Sequence, residues 1–233
     1  MGYFADLKKK KRDKKFDQIL QQSSKSREEF WKTVGELDNY VLTHLINPMF
    51  LGGVSWPANR QGFLRIVKEN SVVFASDGLS DPFYPSAEEE IQPYNGYGLE
   101  FYLECDDPSL RGELDDVKNH WAFDLIYQIS QNAASRGNML AHLEKYTVLS
   151  MEFTEINSPK GYLNENGVTG VLLGVASPEI KTAIDLPLES VRLVSIKLLT
   201  PEQLDYVYQY GSDARLNLSE ELKKAGTYHL NSI

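Results

Sequence analysis

Residues 94–105 read Tyr94-Asn95-Gly96-Tyr97-Gly98-Leu99-Glu100-Phe101-Tyr102-Leu103-Glu104-Cys105, and the fold turns on this stretch. Its second half alternates: Leu99, Phe101, Leu103 and Cys105 point one way, Glu100, Tyr102 and Glu104 the other. Period-two alternation marks a strand with one face on a core and one toward something polar. Asp106-Asp107-Pro108-Ser109 then forces a reversal. Beyond it, Leu114, Val117, Trp121, Leu125, Ile129 and Ala133 recur at intervals of three and four. This spacing predicts one long amphipathic helix, ended at Gly137 by a left-handed cap. A strand and a helix, each with one apolar side, give a sheet-on-helix core.

Upstream, Phe63–Val67 and Val72–Ala75 are β-rich and flank Lys68-Glu69-Asn70-Ser71, which predicts a hairpin. The residues Asp77-Gly78-Leu79-Ser80-Asp81-Pro82-Phe83 form a loop at its end. Residues 85–93, with Glu88-Glu89-Glu90, read as an exposed acidic connection. Downstream, strands are predicted at 146–151, 168–176 and 191–199, with a loop over 157–167. Thr200-Pro201-Glu202-Gln203 is a strong helix start, with Leu204, Val207 and Tyr208 as the buried side and Gly211 as the stop. A last helix covers 216–225.

Near the start, Lys8 to Lys15 is almost wholly basic and predicts a helix with a solvated middle. Ser23-Ser24-Lys25 reads as a break. A second helix would begin with Ser26 and Glu29 in capping-box spacing. It would bury Phe30, Val34, Leu37, Val41 and Leu45, and end at Asn47-Pro48. Strands and helices mix without strict alternation, so the fold class is α+β: a mixed, mostly antiparallel central sheet packed with helices. The expected organisation is a basic extension over 1–25 and one domain over 26–233.

Net charge over the 233 residues is −9. Residues 1–15 hold seven basic side chains against Asp6 and Asp13, a local +5, which leaves −14 on the rest. Such a body repels nucleic acid and membrane surfaces and attracts basic partners over roughly a Debye length, ~8 Å at physiological salt. Hydrophobic content of 42% with no long apolar run argues against a membrane span or a signal peptide. One cysteine, Cys105, cannot form an internal disulfide and reads as a core residue, which places the chain in reducing cytoplasm.

The search for chemistry is negative. Gly78-Leu79-Ser80-Asp81-Pro82 stops one glycine short of a nucleophile elbow, and no helix follows it. His44, His120, His142 and His229 are dispersed with no second cysteine, so no metal site is expected. Gly96-Tyr97-Gly98 precedes a strand, the wrong order for a dinucleotide fingerprint. Asp106-Asp107 and Asp115-Asp116 belong to a turn and a helix start. No cofactor and no enzymatic activity are expected.

The run Val73–Phe83, then Gly96–Leu103, then His120-Trp121 opening a helix, resembles the suppressor-of-fused domain family. Leu186-Pro187-Leu188-Glu189-Ser190-Val191, the Thr200–Gln203 start and Gly226-Thr227-Tyr228-His229 fit its C-terminal part. The resemblance covers roughly residues 30–233, leaves out the basic start, and includes nothing like the second domain of the animal proteins. It implies a non-enzymatic protein-binding domain. Animal members restrain a transcription factor by gripping a short peptide that adds to strands. Bacterial single-domain members are commonly assigned as immunity proteins that neutralise a cognate toxin, often a nuclease, and a lone acidic domain resembles these. A peptide-binding regulatory module is the alternative, and a cryptic hydrolase built on Ser80 the remote one. The expected partner is another protein, a toxin or an extended peptide, with no membrane or nucleic acid. Its expected contacts are Asp77, Gly78, Leu79, Ser80, Asp81 and Phe83 of the loop, the outward Glu100, Tyr102 and Glu104, and Trp121 as an anchor.

Overall fold

A computed structural model of the chain describes residues 2–43, 48–86 and 90–233, with the side chains of 2–5 and 49 left out of the description. His44, Leu45, Asn47, Glu88 and Glu89, named above, therefore lie outside the described residues.

Strand β1 (Glu36–Leu37), β2 (Gly62–Val67), β3 (Val72–Asp77) and β4 (Leu99–Cys105) form an antiparallel series. It joins β8 (Ser190–Leu198), which runs parallel to β4, and continues through β6 (Thr169–Leu173) to β5 (Leu149–Phe153). Strand β7 (Ala183–Asp185) pairs with the first part of β8, and β6 with its last part. The β2–β3 hairpin forms where its Val, Ile and Phe content places it, closed by Lys68 N–H donating to Ser71 O over 2.9 Å.

Helices cover both faces. On one side lies α3 (Trp121–Arg136), whose Leu125, Ile126, Ile129 and Ala133 pack on Phe74, Phe101, Leu103 and Val194. On the other lies α1 (Gly2–Val34), whose Trp31 packs with Leu64, Ile66, Val73, Ala75, Tyr102 and Leu193. Alternate residues of β3 and β4 thus serve different layers, and every residue of both strands is buried. At the far end α5 (Pro201–Tyr210) and α6 (Ser212–Lys224) close over Leu172, Val175 and Leu199. The capping box at Thr200 and Gln203 is present, with both reciprocal bonds.

Four local expectations are corrected. The Ser23-Ser24-Lys25 break is absent: α1 passes through it uninterrupted to Val34, where Gly35 follows. Ser26 is mid-helix, and beyond Val34 the chain is extended, so Leu37 lies in β1 and Val41 is exposed. The single helix over 114–133 is two, α2 (Leu114–Val117) and α3. His120 interrupts them in extended backbone, and its Nδ1 accepts the Ala122 N–H as the cap of α3. Gly137 does end α3 in the left-handed region, φ 66°. A helix unforeseen from the sequence, α4 (Met139–Tyr146), follows it, so the strand expected from Tyr146 starts at Leu149.

The sheet has one seam. Strands β4 and β8 pair directly over Leu99–Tyr102 and Arg192–Ser195. Past that point Asn231 takes the place between them. Its N–H donates to Glu104 O and its carbonyl accepts from Asp106 N–H. Its side-chain oxygen accepts from Leu198 N–H, and its amide donates to Glu104 O and Ile196 O. A fully buried Asn with both ends engaged in this way satisfies strand groups that would otherwise be orphaned.

Candidate functional site

The side of β4 carrying Glu100, Tyr102 and Glu104 is the one that α1 covers. Glu100 is fully buried, Tyr102 is 3% exposed and Glu104 4%. The expectation that these three point outward to a partner is therefore corrected. Alternation identified two faces; it could not say that the polar face meets a helix bearing the opposite charge.

That charge is Arg27. On α1, Phe16, Ile19, Ser23, Arg27 and Trp31 recur at intervals of three and four and are buried. Arg27 Nε donates to Asp77 Oδ1 over 2.6 Å, Nη1 to Ser80 Oγ over 3.0 Å, and Nη2 to Asp81 Oδ1 over 2.6 Å. From the rim Arg60 adds Nη1 to Asp77 Oδ2 at 2.8 Å and Nε to Asp81 Oδ2 at 3.0 Å. Glu100 completes the cluster, its Oε1 3.9 Å from Arg27 Nε. That oxygen accepts from the Gly78 and Ser80 N–H groups and from the Ser80 hydroxyl, while Oε2 accepts from Ser76 Oγ. Burial alone would discharge these groups. For Asp77 burial is the largest influence, yet the two arginines outweigh it and hold its carboxyl below the usual range. For Glu100 burial prevails over Arg27 and the serines, and its carboxyl is pushed up.

The Asp77–Asp81 loop is accordingly an internal device. Asp77, Gly78, Leu79, Ser80 and Asp81 are all buried; Phe83 is half-buried and stacks edge-on with Tyr97 at 5.4 Å. The Ser80 hydroxyl donates a hydrogen bond to Glu100 and accepts one from Arg27. Trp121 is 8% exposed and belongs to the α3 core, not to a surface anchor. A β-carbon on Gly96, at φ 50°, would lie 2.3 Å from Leu79 O and 2.5 Å from Asp81 O, so only glycine lets this turn rest on the loop.

Asn95 ties in a third segment. Its amide donates to Ser23 Oγ and Ser80 O, and its oxygen accepts from the Leu188 and Glu189 N–H groups. The far end of β4 has its own cluster. Glu104 accepts from Lys68 Nζ at 2.7 Å, from Ser71 Oγ, and from His229 Nε2 at 2.7 Å. Burial opposes its ionisation, but these donors prevail and hold it at about 2. The segments around Gly78, Gly96, Leu186 and His229, far apart in sequence, thus converge beneath α1. Sequence reasoning missed Arg27 and Asn95 entirely; the signal available was an apolar helical stripe interrupted by one arginine, aimed at a strand with carboxylates on one face.

The described residues contain no helix long and apolar enough to cross a membrane, and no group of three His, Cys, Asp or Glu placed to hold a metal ion. A mixed sheet between helical layers, with buried ion clusters along its middle strand, defines the class as an α+β fold. The Suppressor of fused protein family matches residues 61–230, and the chain belongs to that family. A chain of the Sufu–Fu complex crystal structure superimposes with TM-score 0.57 at 16% identity, over 92% of this chain and 89% of that one. Drosophila Suppressor of Fused gives TM-score 0.56 at 16% identity over 92% of this chain. The present chain spans about half the length of that Drosophila chain, 49%. No curated protein sequence matches.

Proposed function

We propose that this chain acts as a non-enzymatic binding domain for another protein, engaging an extended segment along the outer edge of β5. The observation that carries the reading is that edge. Leu149–Phe153 pairs with β6 on one side and with no strand on the other among the described residues. Its Leu149, Ser150 and Met151 are half-buried and Glu152 is exposed. An unpaired edge offers a row of N–H and C=O groups to an incoming strand. Family membership and the likeness to a chain from a Sufu–Fu complex support the same reading. The test is hydrogen exchange on the full chain with a captured, purified partner. Slower exchange of the Leu149–Phe153 amides is the expected result; protection confined to another surface would overturn it.

Charge favours a second reading, that of a bacterial immunity protein. With −14 outside residues 1–15, the body suits a basic toxin such as a nuclease, since opposite fields speed encounter. Co-expression should then rescue cells from the toxin, and association should slow as salt rises. Equal association rates at low and high salt would remove the charge argument.

A further inference from the structure

A cleft of about 490 Å³ opens where β8 changes partners from β7 to β6. Arg192, Gly174, Thr147 and Glu144 are on its wall. Three features of this wall are unusual together. Arg192 is half-buried, yet among the described residues no carboxylate reaches ion-pair distance of its guanidinium. Its one hydrogen bond is Nη2 donating to Thr147 O over 3.0 Å, which leaves most of its five donors unspent. Glu144 attracts the guanidinium only from further off.

Thr147 itself is strained. It sits at φ 64°, ψ −52°, with Val148 N–H donating back to Tyr146 O over 2.7 Å, the three-residue turn of positive φ that a β-branched residue rarely adopts. Such strain gathers where geometry serves a site. Here it turns the Thr147 carbonyl onto Arg192. Opposite, Gly174 at φ 92° keeps the space open: a β-carbon there would stand 3.1 Å from Thr147 O and 3.6 Å from Arg192 Nη2.

We propose that this cleft is a carboxylate-binding site in which Arg192, held by the Thr147 carbonyl, clamps the anion through its free N–H groups. The planar fork of a guanidinium matches the two oxygens of a carboxylate, and partial removal from water strengthens the pair. The clamp needs no open sheet edge, so it stands or falls separately from binding at β5. The carboxylate belongs either to a small acid or to an acidic side chain of a peptide.

Titration of the full chain, followed through the amide NMR signals of Thr147, Gly174 and Arg192, tests the site. The probes are glutarate, a blocked hexaglutamate peptide and inorganic phosphate. Saturable shifts with glutarate are expected, weakened at least about tenfold by Arg192→Gln and strengthened by Glu144→Gln, which removes one of the two carboxylates, with Glu189, that line the cleft. Saturation by the peptide as well assigns the carboxylate to a protein segment; glutarate alone assigns it to a small acid. If Arg192→Gln does not fold, Glu144→Gln and Arg192→Lys decide, since lysine keeps the charge and loses the fork. Absence of saturation by both carboxylate probes, shifts indifferent to these substitutions, or phosphate binding as tightly as glutarate would overturn the assignment.

Discussion

Arg27 Nε lies 2.6 Å from Asp77 Oδ1, and neither side chain is more than 2% exposed. The pair joins the first helix to the end of the hairpin, 50 residues on. Removing Arg27 leaves Arg60 alone to balance the buried Asp77 and Asp81, with Glu100 uncompensated, which is far worse than losing a surface bridge. Arg27→Met is expected to cost about 3–5 kcal/mol in urea unfolding. Arg27→Lys should recover only part of that, because one ammonium cannot reach Asp77, Ser80 and Asp81 together. A loss below about 1 kcal/mol for the methionine variant would mean that the cluster relaxes and rehydrates.

Glu104 gives the acid limb of stability. Its folded value, about 2, is below the ordinary 4.5. A depressed carboxyl stabilises the fold above its unfolded value, and that contribution is lost as pH falls from about 4.5 toward 2. Glu104→Gln should lower the melting temperature at pH 7 and flatten its fall across that window. A variant that keeps the wild-type slope would assign the acid limb to other groups.

Lys197 gives the opposite limb. Its Nζ donates to Leu230 O beneath the C-terminal segment, and burial pulls it down from 10.5 to about 8. The folded state thus resists carrying this proton. Stability should rise as pH climbs from about 8 to 10.5, the window in which the folded chain has shed the proton and the unfolded chain has not. Lys197→Met should remove that rise when melting is followed across alkaline pH.

Gly96→Ala should cost more than the ordinary glycine-to-alanine exchange, because the β-carbon meets two backbone oxygens that cannot step aside. A loss above about 1 kcal/mol, with Gly161→Ala nearly neutral as an open-space control, is the expected outcome in chemical denaturation.

What was legible in the sequence was local. The hairpin of Phe63 to Ala75, the two-faced strand from Leu99 and the capped helix from Thr200 each carry their signal within ten or so residues. What was hidden needed a partner from elsewhere. Ser23 and Ser24 look like a break until Ser23 is seen against Asn95, and Arg27 looks solvated until three acidic side chains gather round it. His120 as a helix cap depends on its own ring folding back to Ala122, a role more often taken by Ser, Thr, Asp or Asn. The outward placement of Glu100 and Glu104 fails for the same reason: polarity was read as exposure, when these side chains are polar because they anchor other segments. Charge reversal at either should unfold the domain instead of sparing it.

The Asn231 wedge bears on synthesis. Strands β4 and β8 lie some ninety residues apart in sequence, and the groups between their far halves find no mate until a residue later than both is available. A chain made from its N-terminus onward therefore has its hairpin and α3 before the residue that fills the gap beside Glu104 and Leu198. Until that residue docks, the far halves of both strands keep unpaired backbone groups of the kind that a stray strand can claim.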